Sequence, residues 1–206
     1  VEQVKALVDS LGAQFMVIHC NPLQEAIQPE GTPQFKGGLK ALEALCAKLS
    51  VPVVLKETGC GFSKQNFDSF KDTGLSAIDV SGKGGTHWGR VEGHRMEPSQ
   101  IGHQVAESFA QWGISTVDSL NYGIESGIHT ELWASGGVRN GLQAAKLMAL
   151  GAKKVGFAKP ILESALKGED NLVQLMERFD YELKVALFCL GMKNVESLVG
   201  KRKLLG

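Results

Sequence analysis

The chain of 206 residues is 43% hydrophobic and 21% charged, enough apolar content to bury a real core in one domain and too much for a disordered segment. Its 22 Lys and Arg balance 22 Asp and Glu, so no long-range field recruits nucleic acid or a membrane surface, and neither partner is expected. Four cysteines without a C-x-x-C pair fit reduced thiols in a cytoplasmic protein better than a disulfide scaffold or a zinc site, and no apolar run approaches the roughly 20 residues of a membrane span.

Val4, Leu7, Val8 and Leu11 recur at helical spacing before Gly12, so the chain opens on a helix. Phe15 to Ile18 is a continuous apolar run and predicts a strand covered on both faces, which delivers His19, Asn21, Gln24 and Glu25 just beyond its end. The Pro- and Gly-rich stretch from Gln28 to Gly38 reads as a loop. Leu39 to Leu49 has the periodicity of an amphipathic helix. Val51 to Leu55 is a second strand, ending in Lys56 and Glu57, and Ser63 is placed to cap a helix that carries Phe67 and Phe70.

Ala77 to Val80 predicts a third strand, followed by a glycine-rich turn from Ser81 to Gly85 and an irregular, charged loop from His87 to Pro98. Helices are expected over Ile101 to Trp112 and Thr116 to Glu125. His129 to Ala134 then forms a strand that feeds the turn Ser135-Gly136-Gly137-Val138-Arg139-Asn140. Leu142 to Leu150 predicts a helix closed by Gly151, Val155 to Ala158 a last strand, and Leu172 to Leu190 a long amphipathic helix. Glycine pairs at the turn after the fourth strand admit close backbone approach, and the amides that start the following helix would form an anion site. A phosphate is the natural guest.

Strand-helix alternation with polar residues gathered just past successive strands is how (β/α) barrels build a site. Five strands are counted, near residues 14–18, 51–55, 77–80, 130–134 and 154–158, where a closed barrel wants eight. The expectation is therefore one domain over residues 1–206, corresponding to the last five strands of a (β/α)8 TIM barrel whose first strands lie upstream. A five-stranded doubly wound sheet is the structural alternative.

Four segments, His19-Cys20-Asn21-Pro22-Leu23-Gln24-Glu25, Val54 to Gly59, Asp79 to Thr86 and Ala134 to Arg139, resemble in order and spacing the type 2 isopentenyl diphosphate isomerases, which are FMN-dependent (β/α)8 barrel enzymes of isoprenoid biosynthesis. The resemblance runs from about Leu11 to Pro160. It implies interconversion of isopentenyl and dimethylallyl diphosphates by an allylic proton shift on reduced FMN, with Mg²⁺, with NADPH to keep the flavin reduced, and in a homo-oligomer. It further implies that Gln24 contacts substrate, that His19 and Asn21 line the same catalytic pocket, and that Glu25 holds the Mg²⁺. Lys56, Ser81 and Thr86 would contact FMN, while Gly136, Gly137, Val138 and Arg139 with Ala158 and Lys159 would surround its phosphate.

Two other readings stand beside this one. A flavin-dependent 2-hydroxy acid oxidase or dehydrogenase would suit the Ser135 to Gly141 turn, but its expected His base and substrate Arg are replaced at the matching places by Lys83 and Thr86. A non-catalytic flavin or phosphate binder would suit five strands with two sheet edges to cover.

Overall fold

The computed structural model describes residues 1–205. Five strands, β1 (Met16–His19), β2 (Val53–Lys56), β3 (Ala77–Asp79), β4 (Glu131–Ala134) and β5 (Lys154–Val155), form one sheet in the order β1-β2-β3-β4-β5. Every pair is parallel. Parallel neighbours joined by right-handed crossovers put their helices on one face only when the strands follow each other in sequence order. A doubly wound sheet reverses direction partway and covers both faces. The sequential order therefore excludes the doubly wound alternative, and the fold is part of a (β/α)8 barrel.

Register fixes the two faces. Ile18, Leu55, Ile78 and Leu132 form one row across four strands. They pack with Phe67 and Leu120 from the helices α4 (Lys64–Phe70) and α7 (Thr116–Ser126) in the main core, where Phe62, Phe67 and Phe70 meet edge to face. The next row, His19, Lys56, Asp79 and Trp133, points to the opposite face at the carboxyl ends of the strands. Chemistry is thus separated from core packing by the two-residue period of the strands.

β2 is buried on both faces, as its apolar run predicts, but β1 is not. Phe15 and Val17 are exposed because β1 has a neighbour on one side only among the described residues. The opening helix α1 (Glu2–Leu11) ends at Gly12 in the left-handed region, and α3 (Gly38–Lys48) matches its predicted span. Ser63 does cap α4, through a capping box with Asn66.

Several local expectations are corrected. The residues after His19 form a short helix, α2 (Pro22–Ile27), where only polar residues past a strand were anticipated. His87 to Pro98 is no irregular loop: it contains α5 (Trp88–His94), capped by His87. That helix escapes sequence reading because its buried face is Gly89, Glu92 and Gly93 instead of an apolar stripe. The glycines let it lie close to Leu23 of α2 and Ala106 of α6 (Ile101–Ser108), a helix shorter than the Ile101 to Trp112 expected.

α8 (Gly141–Leu150) forms as predicted, but β5 is only two residues long, and Gly156 to Ala158 leaves the sheet as a loop into α9 (Lys159–Ala165). The long helix α10 (Glu169–Cys189) packs on α8, with α11 (Val195–Leu198) and a final 3₁₀ turn (Arg202–Leu205) beyond it. Among the described residues no helix is long and apolar enough to cross a membrane.

Candidate active site

A cavity of about 960 Å³ opens at the carboxyl ends of β2 to β5. Its wall includes Lys56, Ser81, Thr86, Gly136, Gly137, Val138, Arg139, Ala158 and Lys159, so all nine residues expected to hold a flavin converge on one space. Lys56 Nζ donates to Thr58 Oγ1 (3.0 Å) and to the Glu57 carbonyl (3.1 Å), which fixes an ammonium at the cavity's edge.

The turns after β3 and β4 are packed backbone to backbone. A Cβ at Gly136 would overlap the Gly82 carbonyl oxygen, and one at Gly137 would overlap that of Gly84; both glycines have positive φ, 98° and 83°. Thr116 Oγ1 donates to the carbonyls of Ser135 (3.0 Å) and Gly136 (2.7 Å). These glycines are therefore demanded first by the neighbouring turn, and only secondarily by any ligand.

At the start of α8, where an anion site is expected, three backbone amides are engaged within the protein: Gly141 N–H donates to Glu182 (2.6 Å), Gln143 N–H to Asn140 (2.8 Å) and Arg139 N–H to Gln143 (2.8 Å). By contrast α9 begins at the cavity, with Ala158 as its N-cap and no side-chain cap, beside the cationic Arg139 and Lys159.

The remaining expected residues stand at the end of β1, outside this cavity's wall. His19 is exposed, with its pKa lowered by partial burial and by Lys56, while Glu25 opposes the shift. Asn21 is 1% exposed and fully engaged: its Oδ1 accepts Gln24 N–H (3.0 Å) as the cap of α2, and its Nδ2 donates to the Thr58 carbonyl (2.8 Å). Gln24 Nε2 donates to Glu92 (2.9 Å), which is buried and also accepts from Arg95 (2.6 Å). Glu25 Oε2 accepts Thr32 N–H (3.0 Å). Among the described residues no three His, Cys, Asp or Glu side chains cluster as a metal site.

Sequence reasoning passed over three residues that organise the site. Asp79 accepts from Ser81 N–H (3.1 Å), Ser135 N–H (3.0 Å) and Ser135 Oγ (2.8 Å), which joins the turns after β3 and β4. Glu57 is buried, and burial pushes its carboxyl up to about 7 against the opposing pull of three amides and Lys56. Phe157, part of the cavity wall, stacks on Phe179 of α10 at 4.6 Å. A carboxylate at the carboxyl end of a buried strand was the visible signal for the two acids. Nothing local marked Phe157.

The sequence profile of the FMN-dependent dehydrogenases matches residues 21–205, almost the whole chain. The chain belongs to this family. Within it, isopentenyl-diphosphate delta-isomerases are similar: that of Bdellovibrio bacteriovorus is 52% identical over 98% of this chain, that of a Legionella pneumophila strain 52% over 98%, and that of Pyrococcus furiosus 40% over 96%. The chain spans 58%, 59% and 50% of the lengths of those proteins. Among solved structures, a mandelate oxidase variant with a monooxide FMN adduct superposes with a TM-score of 0.64 at 21% identity, covering 97% of this chain and 57% of that one. Mandelate oxidase with (S)-2-phenylpropionate gives 0.63 at 20% identity, with the same two coverages. Those two likenesses support the barrel fold.

Proposed function

We propose that this chain carries the flavin and diphosphate sites of an isomerase that interconverts isopentenyl diphosphate and dimethylallyl diphosphate, with FMN, Mg²⁺ and NADPH as cofactors. The observation that carries the reading is the convergence of the nine expected flavin residues on one cavity, with the expected substrate residues at the adjoining strand end. The cavity fits the group: about 960 Å³, apolar at Val138 and Phe157, cationic at Lys56, Arg139 and Lys159.

When bound, reduced FMN supplies the proton chemistry of an allylic shift, with no net redox change, and NADPH keeps it reduced. Lys56 would supply positive charge to stabilise a reduced flavin, while Ser81 and Thr86 would offer it hydroxyls and backbone groups. Gly136, Gly137, Val138, Arg139, Ala158 and Lys159, which line the same cavity, would hold its phosphate. His19 and Gln24 face the substrate, and Asn21 acts by holding the start of α2 and the Thr58 segment. Glu25 contributes one carboxylate, which suits Mg²⁺ when the substrate's diphosphate supplies further oxygens.

The hydroxy acid oxidase reading lacks its base. Among the described residues no His lines the cavity, and Lys83 turns away to donate to the Gln111 carbonyl (3.0 Å). The proposal extends to a cytoplasmic homo-oligomer, for which Leu142, Tyr181 and Phe188 on the outer helices offer exposed apolar surface.

Isomerisation by the holoprotein with reduced FMN, followed across a Mg²⁺ titration, tests the reading through Glu25→Gln. Turnover should fall roughly a hundredfold with normal flavin content, and part of the rate should return at high Mg²⁺ because the neutral amide holds a hard cation weakly. Unchanged turnover and unchanged metal dependence would overturn the assignment.

A further inference from the structure

Glu57 does not line the cavity and is 2% exposed, yet a single oxygen, Oε2, accepts three backbone amides: Thr58 (2.6 Å), Cys60 (2.5 Å) and Gly61 (3.2 Å). We propose that Glu57 is a positioning residue for the flavin: by gathering these amides it folds the segment after β2 into the wall that Thr58 and Gly59 present to the cofactor. The inference rests on the flavin reading above.

Each consequence of that fold reaches a residue of the cavity. Gly59, with φ 102°, donates its N–H to the Ser81 carbonyl (2.7 Å), and a Cβ there would stand 2.7 Å from the Thr86 carbonyl oxygen. The segment after β2 therefore sets both Ser81, itself at φ 31°, and Thr86. Thr58 is gripped at three points: its N–H by Glu57, its carbonyl by Asn21 and its hydroxyl by Lys56. On the far side, Cys60 accepts the Ile114 N–H (2.7 Å), and the Cβ atoms that Gly61 and Gly113 lack would crowd the Ile114 carbonyl and Cys60 Cα. The segment cannot relax outward, so the carboxylate determines how far Thr58 and Gly59 reach inward.

Desolvation is tolerated to keep this geometry. The charged and titratable groups that Glu57 meets are Lys56 on its own strand, Cys20 beyond β1 and Cys60. Lys56 favours the ionised carboxyl, whereas burial opposes it more strongly. Glu57 in turn adds to the burial that pushes the Cys20 and Cys60 thiols up to about 11 and about 12, so neither thiol competes as an anion for Lys56.

The test titrates FMN into flavin-free protein and records fluorescence quenching, the bound flavin's absorption band and hydrogen exchange of the Thr58, Cys60 and Gly61 amides. Glu57→Ala should weaken FMN binding by roughly tenfold or more, blur the absorption band and speed exchange at the three amides. Glu57→Gln, which keeps an acceptor oxygen at the same reach, should restore affinity to within about threefold and restore the band shape. If the alanine variant does not fold, Glu57→Asp serves instead: its carboxyl is one methylene short, so it should bind FMN more weakly than Glu57→Gln does. Affinity and spectrum unchanged in Glu57→Ala, or Glu57→Asp equal to wild type, would overturn the inference alone. A wild-type protein that takes up no FMN would overturn the flavin reading, and this inference with it.

Discussion

The cavity turns after β3 and β4 and the mouth after β1 are built from different materials. The turns are backbone against backbone: Gly82, Gly85, Gly136 and Gly137 leave no room for a Cβ, and Thr116 and Asp79 tie the two turns through main-chain groups. The mouth is held by side chains, Asn21 to Thr58 and a chain from Gln24 through Glu92 and Arg95 to Glu30. Its outermost link, Arg95 to Glu30 at 2.7 Å, joins two half-exposed side chains and is weakened by solvent screening. A backbone cradle suits a cofactor that stays. A side-chain mouth with weak outer links suits a substrate that must enter and leave.

The largest effect that separates the two regions is expected at Gly137. Gly137→Ala adds a Cβ at positive φ against the Gly84 carbonyl, a strain on the order of 3–5 kcal/mol, so thermal unfolding should drop sharply and FMN should be lost with it. Because that loss comes from turn packing, it occurs in flavin-free protein too, which calorimetry without FMN would detect. An unchanged flavin-free melting temperature would show that the glycine serves the ligand alone.

Next comes the pH dependence of stability that Glu57 imposes. Its pKa is raised in the folded state, from 4.5 to about 7, so its favourable contribution is complete below pH 4.5 and is lost as pH rises through 7. The loss should reach at most about 3 kcal/mol, read as a fall in urea-unfolding stability between pH 5 and pH 8 that Glu57→Gln flattens. Equal slopes in the two proteins would place the titration elsewhere.

The mouth should respond least. Asn21→Ala removes the cap of α2 and one partner of the Thr58 carbonyl, a cost of about 2 kcal/mol in denaturant unfolding. Substrate affinity should suffer more than flavin affinity, because α2 carries Gln24 and Glu25, whereas in the cavity wall only one of the three grips on Thr58 is lost. A matching loss of FMN would erase the distinction between the two regions.

Much of this architecture was decided by local sequence. Short, mostly apolar runs marked four of the five strands closely, since a strand packed against helices needs hydrophobic side chains. Glycines after long helices marked their ends, and polar residues just past each strand marked the face where chemistry gathers. What the sequence left open depended on partners far along the chain. α5 is stabilised by glycines that nestle against Leu23 and Ala106, an attraction with no periodic apolar signature. β5 stops at Val155 and the chain turns into α9, with Phe157 stacked on Phe179 twenty-two residues later. Gly137 reads as a ligand-facing glycine until Gly84 is found against it, and Glu57 reads only as the polar end of a strand until three amides are found around it. Periodicity reports which side of an element meets a core; which backbone comes within reach of which carbonyl is set only when all the turns are packed at the same end of the sheet.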